Sequence, residues 1–181
     1  MKYIIDELNI EYSKSSDFSE LYKKVSNELN LSPDQTIVAA YLYWAGSGNG
    51  DFSIKLNTTD ITPDRTFSDS LDETRVFFAA FKDVTELVVN EGNTVYTVSD
   101  FDLSSIISPY CPSGTNFAGW AIAIVFEEST LPLNQVNIYD GLQSVPDELT
   151  IELNSINVID TVGAKIGFIA WEGDNSLAVN E

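Results

Sequence analysis

Apolar positions in this chain come in short alternating runs, broken roughly every ten residues by turn-forming residues. Tyr3 to Tyr12 alternates loosely and predicts a strand. Phe18, Leu21, Tyr22, Val25 and Leu29 instead fall at helical spacing. Asp17 and Glu20 form a capping box before them, so a helix is expected from Phe18 to Asn30, stopped by SPD. Thr36 to Ala45 reads as a strand with Tyr41 and Tyr43 on one face and Leu42 and Trp44 on the other. Both faces are apolar, which predicts a central strand covered on both sides. GSGNGD is a turn by composition, Phe52 to Asn57 a half-buried strand, and TPDR a further turn.

RVFFAAF, Arg75 to Phe81, is a compact apolar run. Asp83 and Glu86 cap a short helix with Val84, Leu87 and Val88 on one face, and Gly92 ends it. A strand follows from Thr94 through TVYTVSDFDL, and then a long irregular stretch, SSIISPYCPSGTNF. GWAIAIVFE, Gly119 to Glu127, is the strongest strand of the chain and leads through ESTLPLNQ to VNIYDG. ELTIEL (148–153) alternates cleanly, and Val162 to Asp174 closes as another apolar strand. Eight to ten short strands without regularly interleaved helices argue against a parallel sheet. They predict a mainly β, antiparallel β-sandwich, jelly-roll-like, in a single domain over 1–181 with a helical insertion at about 18–30.

Charge narrows the partners. The chain carries 28 Asp and Glu against 9 Lys and Arg, a net −19. That leaves no basic footprint for nucleic acid, and anionic membranes repel such a surface. Hydrophobic residues at 44% still supply a core, so this is not a disordered acidic tail. Cations, calcium above all, suit a carboxylate-rich surface; simple solubility is the plainer reading of the same charge. Histidine is absent, which removes the commonest general base and zinc ligand. The one cysteine, Cys111, has no internal disulfide partner and no imidazole to activate it.

The candidate chemistry is therefore thin. Asn49 and Asp51 in GNGD, Asp140 in NIYDG, and Glu172 and Asp174 in WEGD could direct oxygens at one cation, although none has EF-hand spacing. Tyr110, Phe117, Tyr139 and Trp171 are the rings nearest loop or strand ends and are candidates for stacking on sugars. In GWAIAIVFE, Gly119 allows close approach of a ring or backbone and Trp120 fills core volume. No G-x-S-x-G elbow or phosphate loop occurs, and carboxylate pairs in so acidic a chain are uninformative, so no enzyme activity is expected. MKYIIDELNI is not a signal peptide, and no run is long enough for a membrane-spanning helix. The ending WEGDNSLAVNE reads as cut from something longer.

Five phrases in order, AYLYWAG (40–46), FKDVTELV (81–88), YTVSDFDL (96–103), GWAIAIVFEESTLPLNQVNIYDG (119–141) and AWEGD (170–174), resemble a poorly characterised domain of large secreted surface proteins of bacteria and some archaea, including the adhesin-like proteins of gliding bacteria. The resemblance covers about Ala39 to Asp174. It implies export to the cell surface and a β-rich, non-catalytic module for adhesion or surface assembly. Its partners would be other surface proteins, glycans, or neighbouring domains of the same chain. The N-terminal helix is no part of that pattern. A carbohydrate-binding, lectin-like module is the alternative function.

Overall fold

The computed structural model describes residues 2–5, 25–145, 148–154, 156, 162 and 165–171. Two antiparallel sheets face each other. The first is five-stranded in the order β1-β9-β3-β7-β6, from Lys2–Ile5 (β1), Ala118–Glu128 (β9), Gln35–Ser47 (β3), Val76–Asp83 (β7) and Arg65–Ser70 (β6). The second is four-stranded in the order β2-β8-β4-β5, from Val25–Glu28 (β2), Val95–Ser99 (β8), Ile54–Leu56 (β4) and Thr59–Ile61 (β5). The mainly β, antiparallel two-sheet architecture is the one that the turn spacing predicts.

Strand β3 is central, with β9 on one side and β7 on the other. Its alternation sorts the side chains as the sequence implied. Ala40, Leu42 and Trp44 join Phe78, Ala80, Trp120 and Ile124 of the same sheet. They meet Ile54, Leu56, Tyr96 and Val98 of the other sheet in one buried cluster. A shift of register between Ile37 and Ala39 sets this phase.

The opposite face of the five-stranded sheet is also apolar. Ala45, Phe77 and Ala79 form a second cluster with Tyr110 and Phe117, and Leu142 and Trp171 pack over it. The Trp171 ring lies above Gly119, where an added Cβ would stand 3.1 Å from Trp171 Cζ3. The close approach that Gly119 was expected to permit is thus made by Trp171. Residues after β9 are tied to this outer face at Arg65–Asp140, with a guanidinium to carboxylate contact of 2.5 Å, and at Asp69, which accepts the Ser144 N–H. The Arg65 guanidinium also sits 3.8 Å from the Phe81 ring centroid.

The helix α1 (Thr85–Glu91) begins two residues after Asp83, with Val84 and not Asp83 at its N-cap. Asp83 Oδ1 accepts the Thr85 N–H at 2.9 Å. The Val84 N–H donates to the Ala40 carbonyl and Thr85 Oγ1 accepts the Ala40 N–H, which fastens the helix to β3. Val84 and Val88 are buried, Leu87 packs against the same core, and Gly92 ends the helix at φ 64°.

Five expectations are corrected. The helix over Phe18 to Asn30 does not extend through Val25–Glu28, which is strand β2, paired with Val95–Val98. Ser, Asn and Val are weak helix formers, and the β8 ladder outweighs the helical spacing of Val25 and Leu29; residues 18–24 lie outside the described residues. ELTIEL (148–153) joins no sheet and leaves Leu149 and Ile151 exposed, because alternation alone supplies no hydrogen-bonding partner. The closing strand is likewise absent over 165–171, which reaches the sheet by side-chain packing and not through a ladder. The strand from Thr94 stops at Ser99, since Asp100 takes φ 61° and turns the chain. Finally, β5 and β6 arise where a turn or no element was expected.

Two phenols give the interior a pH signature. Burial pushes Tyr43 up to about 12, helped by the nearby Asp140 charge and partly offset by Arg65. Burial, with Glu91 adding to it, also pushes Tyr96 up to about 12. Below pH 10, the ordinary value, both phenols are neutral in the folded and unfolded chain and contribute no pH dependence. Between there and about 12 the unfolded chain ionises first, so stability is expected to fall across that window. An ultraviolet titration should show two phenols ionising late; a single uniform ionisation near the ordinary value contradicts this packing.

Candidate functional site

The sequence-flagged residues do not converge on one place. In the loop after β3, Gly48 and Gly50 take φ 97° and 100°, conformations that favour glycine. Asn49 is exposed between them. Asp51 is turned toward main chain. Its carboxylate accepts the Ser53 N–H at 3.0 Å and the Asp102 N–H at 2.8 Å, and its carbonyl accepts the Trp44 indole N–H at 2.9 Å. Asp51 therefore bolts this loop to the segment after β8. Asp140 stands elsewhere, over the outer face, and is held by Arg65 through Nε and Nη2. Glu172 and Asp174 lie outside the described residues.

Other loop carboxylates are engaged in the same way. Asp72 accepts from Thr74 and Arg75, and the Arg75 guanidinium holds its carboxyl far below the usual range. Lys82 and the Asp83 N–H lower Asp64, and the Ser144 N–H lowers Asp69. No group of three or more metal-ligating side chains forms among the described residues.

The four candidate rings separate too. Tyr110 and Phe117 are each 7% exposed and belong to the second core cluster. A 3-10 helix, Ser108–Ser113, folds the long loop back so that the Tyr110 hydroxyl donates to the Val76 carbonyl at 2.9 Å. Both rings are core and are not available for stacking on a sugar. Trp171 is half-buried over Gly119. Tyr139 is 48% exposed, and its hydroxyl donates to the Asn154 carbonyl. Asn134, Val136 and Ile138, without Tyr139, stand off Tyr41 and Val125 and leave an open gap of about 420 Å³.

The feature that sequence reasoning did not find is a cleft between the sheets. Trp120, Ile122, Ile124 and Phe126 project inward from β9, and Leu29 and Tyr96 face them from the β2/β8 side. Asn27, Glu28 and Asn30 lie along its rim. The space is mostly apolar and about 60 Å³. Ligand pockets usually measure roughly 300–1,000 Å³, so this one suits an inserted side chain and not a compact organic molecule. Trp120 is 4% exposed, yet its Nε1 has no hydrogen-bond partner among the described residues. An unmet buried donor costs about 1–3 kcal/mol. Trp120 was expected to fill core volume, which it does; no sequence signal reports whether an indole N–H has an acceptor.

No protein-family model, no curated protein and no solved structure matches this chain. No helix among the described residues is long and apolar enough to cross a membrane.

Proposed function

We propose that this chain is a non-catalytic interaction module of a secreted cell-surface protein, serving adhesion or surface assembly. The observation that carries the reading is the small apolar cleft between β9 and the β2/β8 side. That cleft sits in a domain whose flagged loop carboxylates Asp51 and Asp140 are spent on internal bonds. The phrases behind the surface-protein resemblance support it in a second way. YWAG, DVT and the Gly119–Trp120 pair all contribute packing and strand-to-loop ties, which is what a scaffold module needs. Purified domain, added in excess to cells displaying the parent chain, should reduce their attachment or clumping. Unchanged attachment at saturating domain would count against the reading.

Calcium is a separate clause. Asp51 and Asp140 are already engaged by N–H and guanidinium donors, so neither is expected to make folding calcium-dependent. Melting with calcium and with chelator should therefore show no midpoint difference attributable to them. A calcium-dependent rise that Asp51→Asn or Asp140→Asn abolishes would contradict this. A rise that survives both substitutions would place the metal at other carboxylates, and Glu172→Gln with Asp174→Asn would then test the WEGD pair.

The lectin-like alternative keeps one specific support: the exposed Tyr139. Binding on a glycan array that Tyr139→Ala abolishes would favour it over the scaffold reading.

A further inference from the structure

We infer that Asn49 is a self-modifying site: its carboxamide closes on the Gly50 nitrogen and passes through a cyclic imide to aspartate and isoaspartate, and the isoaspartyl form loosens the loop after β3. The inference goes beyond the interaction reading and does not rest on it. Of all the asparagines in the chain, only Asn49 is followed by glycine. Glycine has no Cβ, so nothing on residue 50 blocks its own nitrogen from reaching the preceding side chain. Asn49 is exposed, between the buried Gly48 and the half-buried Gly50. Among the described residues, neither the Asn49 carboxamide nor the Gly50 N–H has a hydrogen-bond partner. Both reacting groups are therefore free of the bonds that restrain most amides of a fold.

The step needs no co-reactant but water. The deprotonated Gly50 nitrogen attacks Asn49 Cγ, a new N–C bond forms, and the carboxamide C–N bond breaks with loss of ammonia. Water then opens the five-membered ring. Opening at Cγ gives aspartate; opening at the main-chain carbonyl gives isoaspartate, with the main chain rerouted through Cγ. Either product adds one negative charge to the net −19. Asp140–Gly141 is the corresponding aspartate pair, and the fold closes it: Arg65 holds that carboxylate through Nε at 3.0 Å and Nη2 at 2.5 Å. An ionised, clasped carboxylate is a poor target for an amide nitrogen.

The isoaspartyl product is the damaging one, because Asn49 is pinned on both sides. The Gly48 N–H donates to the Val76 carbonyl at 2.8 Å, and a Cβ on Gly48 would stand 3.0 Å from Ile106 Cδ1. A Cβ on Gly50 would stand 2.5 Å from Phe52 Cζ and 3.0 Å from Phe78 Cδ2, two rings that meet edge to face. Isoaspartate lengthens the main chain by one atom between these pins. The extra length is pushed toward Asp51, which holds Trp44, Ser53 and Asp102. Aspartate leaves the main chain unchanged and adds charge alone.

Ageing the intact folded chain at neutral pH, followed by peptide mapping that separates aspartyl from isoaspartyl forms, tests this. The peptide holding Asn49 should exchange ammonia for water before any other asparagine peptide does, and at a rate comparable with that of the urea-unfolded chain. Conversion should speed up as pH rises, since the attacking nitrogen must lose its proton. Asn49→Gln, whose longer side chain would have to close a six-membered ring, should remove the acidic form on the same timescale. The isolated isoaspartyl form should have its folded-to-unfolded ratio lowered roughly fivefold to thirtyfold, while Asn49→Asp should unfold at the parent midpoint. An Asn49 that stays intact in the folded chain while the unfolded chain converts would overturn the inference. So would earlier conversion elsewhere, Asp140 included, or an acidic form that persists in Asn49→Gln. An isoaspartyl form as stable as the parent, or an Asn49→Asp variant as weak as the isoaspartyl form, would overturn it equally. None of these outcomes depends on where the cell places the protein, so a failure here is separable from a failure of the surface reading.

Discussion

Trp44→Ala should lower stability by about 3–5 kcal/mol, the usual cost of deleting a buried Trp or Phe side chain. Trp44 is fully buried at the centre of the cluster that both sheets share. Its indole N–H is also the donor that the Asp51 carbonyl accepts, so the substitution empties the core and releases the loop after β3. Domains of this kind are stable by about 5–15 kcal/mol, so the variant would lose about a fifth or more of the margin. Urea unfolding should show the midpoint falling with little change in slope. Trp44→Phe separates the two contributions: it keeps most of the ring and loses the hydrogen bond, at about 1 kcal/mol plus a smaller packing loss. If Trp44→Ala unfolds at the parent midpoint, the two sheets do not share this core.

Gly46→Ala is expected to be the second damaging change, at about 1–3 kcal/mol. A Cβ there would lie 2.6 Å from Leu103 Cδ1 and 3.0 Å from both the Phe117 carbonyl oxygen and Phe78 Cε1. Leu103 can swing aside. The Phe117 main chain cannot easily do so: its carbonyl accepts the Ser47 N–H and its N–H donates to Ser47 Oγ, each at 3.0 Å. Ser47 Oγ in turn donates to the Thr115 carbonyl at 2.6 Å, and Ser47 is fully buried. Pushing Phe117 outward would therefore unseat several buried bonds together. Reduced freedom of the unfolded chain returns only about 0.4–1 kcal/mol. Gly141→Ala is the control, with nothing within 4 Å of its added Cβ, and should be neutral or slightly stabilising in the same assay.

Much of the sandwich is legible in the sequence because one face of a strand and one face of a helix announce themselves by period. Ala40 to Ala45 alternates between two apolar faces and is indeed the middle of five strands. DVTE begins a helix, with Asp83 accepting the Thr85 N–H. What escapes has a physical reason in each case. RTFSDS is a polar edge strand whose pairing with β7 is made by main chain, so its side chains carry little pattern. VSNE matches a helical period yet is drawn into the β8 ladder, where Ser26 Oγ meets Thr97 Oγ1 at 2.6 Å. Ile166 to Trp171 signals apolarity correctly, but packing over Gly119 and pairing in a sheet leave the same composition.

The site was less legible still. Asp51 looks like a loop ligand until its two carboxylate oxygens are seen to hold the N–H groups of Ser53 and Asp102. Tyr110 and Phe117 look exposed until Ser108–Ser113 coils and tucks them beneath Ala45 and Phe77. Trp120 reads as plain core. Among the described residues its indole N–H has no acceptor, a fact that no local pattern encodes.

The claim with the widest reach is that this module works on the outside of a cell. Brief protease treatment of intact source cells, followed by identification of released peptides, tests it directly. Peptides from exposed segments of this chain, such as the stretch around Leu133 and Tyr139, are expected in the released fraction while cytoplasmic markers stay inside. Recovery of the chain only after lysis, together with those markers, would contradict it.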